Sequence, residues 1–232
     1  FGCIHQGFIP VLSGGSLVSL LDFDPARFAD VLRDFSPTWF GATPTFHLAI
    51  LDELARAPLP SQAKTIRFIL SGGSGGTAGL ADQAGEIYRA PVIEAYGLSE
   101  GAGLTTANPL GEDQQQPDSV GHLVGAEWGQ EIAILGPDDR ILGPRQEGEV
   151  AIRGPNVFSG YLDMPAENAD LFAGDWMRTG DRGELDMNGF LYLKGRVKEI
   201  INRGGEKISP AGVDDALILH PDVEAAVTFA VP

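Results

Sequence analysis

Residues 176–210 read WMRTGDRGELDMNGFLYLKGRVKEIINRGGEKISP. An acid in a Thr179-Gly180-Asp181 turn is followed by Arg196, then by Lys198-Glu199, then by the paired glycines Gly204 and Gly205. Polar groups and permissive backbone crowded this closely seldom serve a core. They indicate a site that holds a polar ligand and has parts that move. Around them the pattern is β-rich, with Phe190–Lys194 reading as a strand. Ser209 then caps a predicted helix with Pro210 at its first position, burying Val213, Leu217 and Ile218. Ala225–Val231 reads as a closing strand.

Upstream, Glu131–Leu135 and Glu149–Arg153 are short predicted strands. A Gly136-Pro137-Asp138-Asp139 turn separates the first from Ile141-Leu142, so residues 121–194 form a small β subdomain. The stretch GEDQQQPD (111–118) is a loop. Before it, strands and helices alternate. Asp24-Pro25 starts a helix with Phe28, Val31, Leu32 and Phe35 on one face. Strand Thr38–Ala42 precedes a helix after Pro44, with Phe46, Ile50, Leu51 and Leu54 on its apolar stripe. Strand Ile66–Leu70, helix Ala78–Arg89 and strand Pro91–Ala95 complete residues 1–120. This is the pattern of an α/β fold: part of a doubly wound, mostly parallel sheet, then the β subdomain, then the start of an α+β unit.

Thirty-two acids against 16 bases leave a net charge of −16, which argues against nucleic acid or anionic lipid as a partner. It does not exclude an anionic small molecule held by backbone N–H groups, an Arg and a metal ion. Cys3 is the one cysteine, so no internal disulfide forms and a reducing, cytoplasmic setting is expected. No apolar run approaches the ~18 residues of a membrane span. The sequence opens on Phe1 in mid-pattern, and we expect a piece of a longer protein.

Four constellations carry candidate chemistry. Ser71-Gly72-Gly73-Ser74-Gly75-Gly76 lies between a strand and a helix, where glycines let backbone approach a flat or anionic ligand. Glu94-Ala95-Tyr96-Gly97-Leu98-Ser99-Glu100-Gly101 follows a strand's C-terminal end, the usual ligand position of an open α/β sheet. There Tyr96 offers a ring face, Ser99 a hydroxyl and Glu100 a hard oxygen suited to Mg²⁺. Asp181 can accept two hydrogen bonds from a cis-diol. Arg196 suits a ribose or phosphate oxygen. Each has a plainer reading: a flexible turn, a solvated loop, an Asx-type turn, a charged strand end. His5, His47, His122 and His220 show no metal-ligand spacing.

These segments, in this order, resemble the adenylate-forming (AMP-binding) superfamily, and the likeness runs over essentially the whole chain. YGLSEG, RTGD, GEVAIRGPNVFSGY and GRVKEIINRGGEKISP are similar to its motifs. INRGGEKISP with HPDVEAAVTFAVP looks most like the oxalate–CoA ligase group of acid–CoA ligases. The resemblance implies a large domain ending near 194 and a small mobile domain opening over 195–232. It implies that a carboxylate attacks the α-phosphate of Mg·ATP to give acyl-AMP, and that the thiol of coenzyme A then displaces AMP. It places Gly73, Ser74 and Gly75 around adenine with Tyr96 stacked on the base, and makes Gly97 part of the nucleotide site. Ser99, where the family usually has Thr, falls on the α-phosphate, Glu100 on Mg²⁺, and Asp181 and Arg196 on the ribose. Lys198 falls at the interdomain hinge and Gly205 beside the pantetheine tunnel. The family's upstream phosphate loop and a later lysine are not in this sequence, so the isolated piece is expected to be inactive. The chain also has Ser74-Gly75-Gly76 where the family usually has Ala-Pro-Leu.

Two rivals stand beside this reading. Gly73-Ser74-Gly75-Gly76-Thr77-Ala78 fits a GxGxxA dinucleotide fingerprint, with Glu94 as the ribose-binding acid at the end of the next strand. That would make an NAD-dependent oxidoreductase. The other rival is a non-catalytic nucleotide-binding relative.

Overall fold

A computed structural model describes residues 2–56, 64–73, 79–111, 114–203, 206–218, 220, 222–223 and 226–231. The chain builds a mixed α/β layer and then an antiparallel β layer. The first sheet has five strands: β1 (Trp39–Ala42), β2 (Phe68–Gly72), β3 (Val92–Leu98), β4 (Gly103–Ala107) and β5 (His122–Leu123), in that spatial order. β1, β2 and β3 pair in parallel, and β4 and β5 continue antiparallel. Helix α2 (Phe28–Phe35) precedes β1, and α3 (Pro44–Leu54) and α4 (Leu80–Tyr88) supply the crossovers from β1 to β2 and from β2 to β3.

Alternation along the strands divides the two faces. Ile69 and Val92 join Leu32, Ile50, Leu51 and Tyr88 in the helix-covered core. Leu70, Ile93 and Ala95 face the other way with Trp39 and Phe68, whose rings stack 5.4 Å apart. On that second face, Gln6 of the π-helical turn Gly2–Phe8 lies against Gly41 beside Leu70. The short helix α1 (Ile9–Leu12) continues from that turn.

The predicted helix start at Asp24 holds: its side chain accepts the Ala26 N–H at 3.1 Å, and a 3-10 turn leads into α2. In α3 the stripe is corrected. His47, not Phe46, lies with Ile50, Leu51 and Leu54 on the buried face. Those four positions keep the i, i+3, i+4, i+7 spacing; Phe46 stands one residue off and packs edge-on to Phe23 at 4.4 Å. His47 is tolerated inside because Nε2 meets the Leu70 carbonyl at 3.3 Å, and burial keeps its ring below the usual histidine range, hence neutral.

The second sheet runs β10 (Leu191–Arg196), β9 (Trp176–Leu185), β7 (Gly148–Arg153), β6 (Glu131–Leu135), all antiparallel, with β8 (Phe172–Ala173) pairing β9. Helix α5 (Pro165–Ala169) precedes β8. Val150 and Leu191 are fully buried and Ile134 nearly so, and Tyr96 of β3 completes their cluster. The two sheets therefore meet at Tyr96.

Beyond β10 lie the hairpin β11 (Ile201–Arg203) and β12 (Glu206–Ile208), then α6 (Pro210–Ile218). Ser209 Oγ accepts the Gly212 N–H at 3.4 Å, as the cap prediction requires. The apolar face of α6 is less buried than expected: Leu217 is exposed, and Val213 and Ile218 are half-buried. The predicted strand over 225–231 does not form among the described residues 226–231. A strand needs a hydrogen-bonded neighbour, and no described strand pairs with this segment. No described helix is long and apolar enough to cross a membrane.

Candidate functional site

A cleft of about 1450 Å³ lies where the two sheets meet, with walls that include Glu94, Tyr96, Glu100, Tyr161, Asp181 and Arg196. Its first wall is the end of β3. Gly97 crosses so close to β4 that a Cβ there would stand 1.8 Å from the Gly103 carbonyl oxygen. Only glycine permits that approach. It bends the strand, with a register shift between Tyr96 and Gly97, into the 3-10 turn Ser99–Gly101.

The second wall is β9. The sequence places Thr179-Gly180-Asp181 in a turn; the structure places it inside a ten-residue strand. The turn chemistry survives as a kink, because Gly180 takes φ +75° and the pairing with β7 shifts register between Glu149 and Ala151. Such a bulge re-aims the next side chain. Side chains hold it in place. Thr179 Oγ1 donates to Val150 O at 2.8 Å and accepts the Asp181 N–H at 3.1 Å. Glu149 accepts the Gly180 N–H at 3.1 Å through Oε1 and pairs Arg178 at 2.6 Å through Oε2.

Asp181 is thereby turned into the cleft. Tyr96 Oη donates to its Oδ2 at 2.7 Å. Arg196, opposite it in the β9–β10 register, reaches Oδ1 with Nε at 3.3 Å. Burial raises the carboxyl above the usual aspartate range, against the Tyr96 hydrogen bond and the Arg196 charge, which pull it down. Burial, with the Asp181 charge beside it, drives the Tyr96 phenol far up, so it remains a donor. A carboxylate offers about four lone-pair sites; two are used here, and the rest suit a ligand's paired hydroxyls.

Tyr96, Glu100, Asp181, Arg196, Gly97 and Gly73 thus border one cleft. Tyr96 is 8% exposed, so little of it reaches the cleft. Ser99 borders a separate space of about 220 Å³ that shares Gly73, Gly97 and Leu98 with the main cleft. Lys198 lies outside both, exposed in the 3-10 turn Val197–Glu199. Ser74, Gly75 and Gly205 lie outside the described residues.

Sequence reasoning missed Tyr161 as a site residue. Its hydroxyl donates to Glu100 Oε1 at 2.6 Å. The Gly160-Tyr161 pair closing GPNVFSGY was the available signal.

Glu94 is not at a strand end as the dinucleotide reading requires. It sits inside β3, in register with Ser71, and the strand runs on to Leu98. Burial, then Asp118 and Asp82, raise its carboxyl above the usual range.

No described group of three His, Cys, Asp or Glu side chains is arranged to hold a metal ion. A cation such as Mg²⁺ needs no such cage, because it binds through one or two carboxylates plus substrate phosphates. Glu100, whose single carboxylate fits that requirement, borders the cleft; its Oε1 accepts from Tyr161, and no hydrogen bond reaches its Oε2 among the described residues.

A protein-family model described as "AMP-binding enzyme" matches residues 1–162. Among curated relatives, oxalate–CoA ligase of Arabidopsis thaliana is 42% identical over 230 residues, which cover 97% of this chain and 44% of the relative. The chain thus spans under half the length of that protein. Among solved structures, o-succinylbenzoate CoA synthetase from Bacillus subtilis in complex with the acyl-adenylate intermediate OSB-AMP superposes with a TM-score of 0.84 at 29% identity. The match covers 98% of this chain and 46% of that one. The same synthetase in complex with ATP and magnesium ion gives a TM-score of 0.80 at 30% identity, over 94% of this chain and 44% of that one.

Proposed function

Because the chain belongs to the AMP-binding enzyme family, we propose that it is part of an ATP-dependent acid–CoA ligase. The reaction joins a carboxylate oxygen to the α-phosphorus of ATP, expelling pyrophosphate. The sulfur of coenzyme A then attacks the acyl carbon, and AMP leaves. The observation that carries this reading is the single cleft bordered by Tyr96, Glu100, Asp181 and Arg196, which come from β3, the turn after it, β9 and β10.

In this reading Asp181 receives the ribose diol through its unused lone pairs, with Arg196 alongside. Gly73, Ser74 and Gly75 line the adenine slot, Tyr96 stacks on the base, and Gly97 belongs to the same nucleotide site. Ser99 donates to the α-phosphate. Glu100 holds Mg²⁺, which when bound offsets phosphate charge as it builds up on the leaving group. The protein's share is positioning and charge stabilisation. Residues 1–194 belong to the large domain, with 1–120 its α/β part and 121–194 its β subdomain. Residues 195–232 open a small domain that moves about Lys198, bringing Gly205 to the pantetheine arm. The likeness to an oxalate–CoA ligase makes short dicarboxylic acids the first class to try.

The test uses protein from the full reading frame. Separate titrations with ATP and NADH, followed by a screen of short dicarboxylic, aromatic and fatty acids for AMP release, are expected to show ATP binding and acid-dependent AMP. Binding of NADH without ATP would refute the assignment.

A further inference from the structure

The segment from Gly154 to Tyr161 leaves β7 and runs onto the turn that ends β3. Three hydrogen bonds tie the two together. Asn156 Nδ2 donates to Gly101 O at 2.7 Å, the Phe158 N–H to Glu100 O at 2.9 Å, and Tyr161 Oη to Glu100 Oε1 at 2.6 Å. Two of these grip the main chain of the turn. The third is the one hydrogen bond that the Glu100 side chain makes among the described residues.

Tyr161 is itself held. Its N–H donates to Asn168 Oδ1 and its carbonyl accepts from Asn168 Nδ2, both at 2.7 Å, so the α5 amide closes a two-point clamp on its backbone. Next to it Gly160 takes φ +133°, and a Cβ there would lie 2.9 Å from Asn168 Oδ1. Phe158 meets the Tyr161 ring edge to face at 4.9 Å. Yet Tyr161 is 38% exposed. A hydroxyl–carboxylate bond so open to water adds little to folding. Fixing the carboxylate is what the clamp accomplishes: a glutamate has three rotatable torsions, and a ligand that must freeze them binds less tightly than one that finds them set.

We propose that Tyr161 is a positioning residue for Glu100: it occupies Oε1, fixes the carboxylate rotamer and presents Oε2 to the divalent cation that accompanies the nucleotide phosphates. The proposal rests on the assignment of Glu100 as the cation ligand.

The experiment uses protein from the full reading frame and Mn²⁺ as the probe, with its dissociation constant measured by electron paramagnetic resonance at saturating non-hydrolysable ATP analogue. The variants are Glu100→Gln, Tyr161→Phe and Asn168→Ala, each with its melting temperature and its metal-free affinity for the analogue. Glu100→Gln is expected to weaken Mn²⁺ most. Tyr161→Phe is expected to raise the Mn²⁺ dissociation constant roughly tenfold, the loss of one charge-assisted hydrogen bond, with metal-free affinity and melting temperature unchanged. Asn168→Ala keeps the hydroxyl but frees its backbone, and is expected to fall between wild type and Tyr161→Phe. Wild-type Mn²⁺ affinity in Glu100→Gln overturns the assignment of Glu100 itself. Weak Mn²⁺ binding in Glu100→Gln with wild-type binding in Tyr161→Phe overturns the role of Tyr161 alone. An equal loss of metal-free nucleotide affinity in Tyr161→Phe also overturns it, because the residue would then be placing the whole turn. Should Tyr161→Phe melt early, Asn168→Ala decides: wild-type Mn²⁺ affinity there overturns the positioning role.

Discussion

The phenol of Tyr96 donates a 2.7 Å hydrogen bond to Asp181, 85 residues further along the chain. That bond crosses from the parallel sheet to the antiparallel one. It joins a residue packed against Ile134, Val150 and Leu191 to a carboxylate that borders the cleft. The core of the molecule and its candidate site thus share one side chain.

Removing the carboxylate should act on ligand binding more than on folding. In protein from the full reading frame, Asp181→Ala is expected to lose about 3 kcal/mol of nucleotide binding, roughly a hundredfold, in isothermal titration with AMP and in ATP-dependent pyrophosphate exchange. Wild-type exchange in this variant would remove Asp181 from the ribose site.

The two halves of Tyr96 can be separated. Tyr96→Phe keeps the packing and deletes the donor, so AMP affinity is expected to fall about tenfold with a stability loss near 1 kcal/mol. Tyr96→Ala opens a cavity beneath the second sheet and should cost about 3–5 kcal/mol in urea unfolding. Equal stability losses in the two variants would contradict this division.

Gly97 sets how closely β3 and β4 approach. In Gly97→Ala the new methyl meets backbone, not a flexible side chain, so the strands must part. Destabilisation of about 3 kcal/mol or more is expected, seen as a lowered melting temperature. An unchanged melting temperature would mean that the crossing is looser than described.

Glu94 provides a pH-dependent test. Its carboxyl is raised by burial, then by Asp118 and Asp82, so the folded state holds this proton more tightly than the unfolded chain. The resulting stability is fully present below the ordinary glutamate range and is lost as pH rises through the raised folded value. Glu94→Gln cannot ionise. Its stability relative to wild type should therefore grow with pH over that window and level off above it, in urea unfolding at a series of pH values. A constant difference from pH 3 to 8 would show that Glu94 titrates normally.

Local chemistry made several parts legible before any coordinates. Asp24-Pro25 announced its helix because a capping carboxylate and a proline act within one turn. Glu131–Leu135 has the predicted limits because alternation and a Gly-Pro turn delimit it. The stripe of α3 was misread at Phe46 because hydrophobicity ranks phenylalanine above histidine, while the fold supplied the Leu70 carbonyl that lets His47 go inside. Residues 225–231 have a strand's composition, but pairing decides strands, and among the described strands none pairs with residues 226–231.

The site divides along the same line. Motif order alone singled out Tyr96, Ser99, Glu100, Asp181 and Arg196 as candidates, because residue type and glycine spacing are written in the sequence. That Tyr96 touches Asp181, that Thr179–Asp181 is a kink within a strand, and that Tyr161 reaches Glu100 belong to tertiary structure. Each depends on two segments many residues apart arriving at hydrogen-bond distance, and that is set by how the two sheets pack.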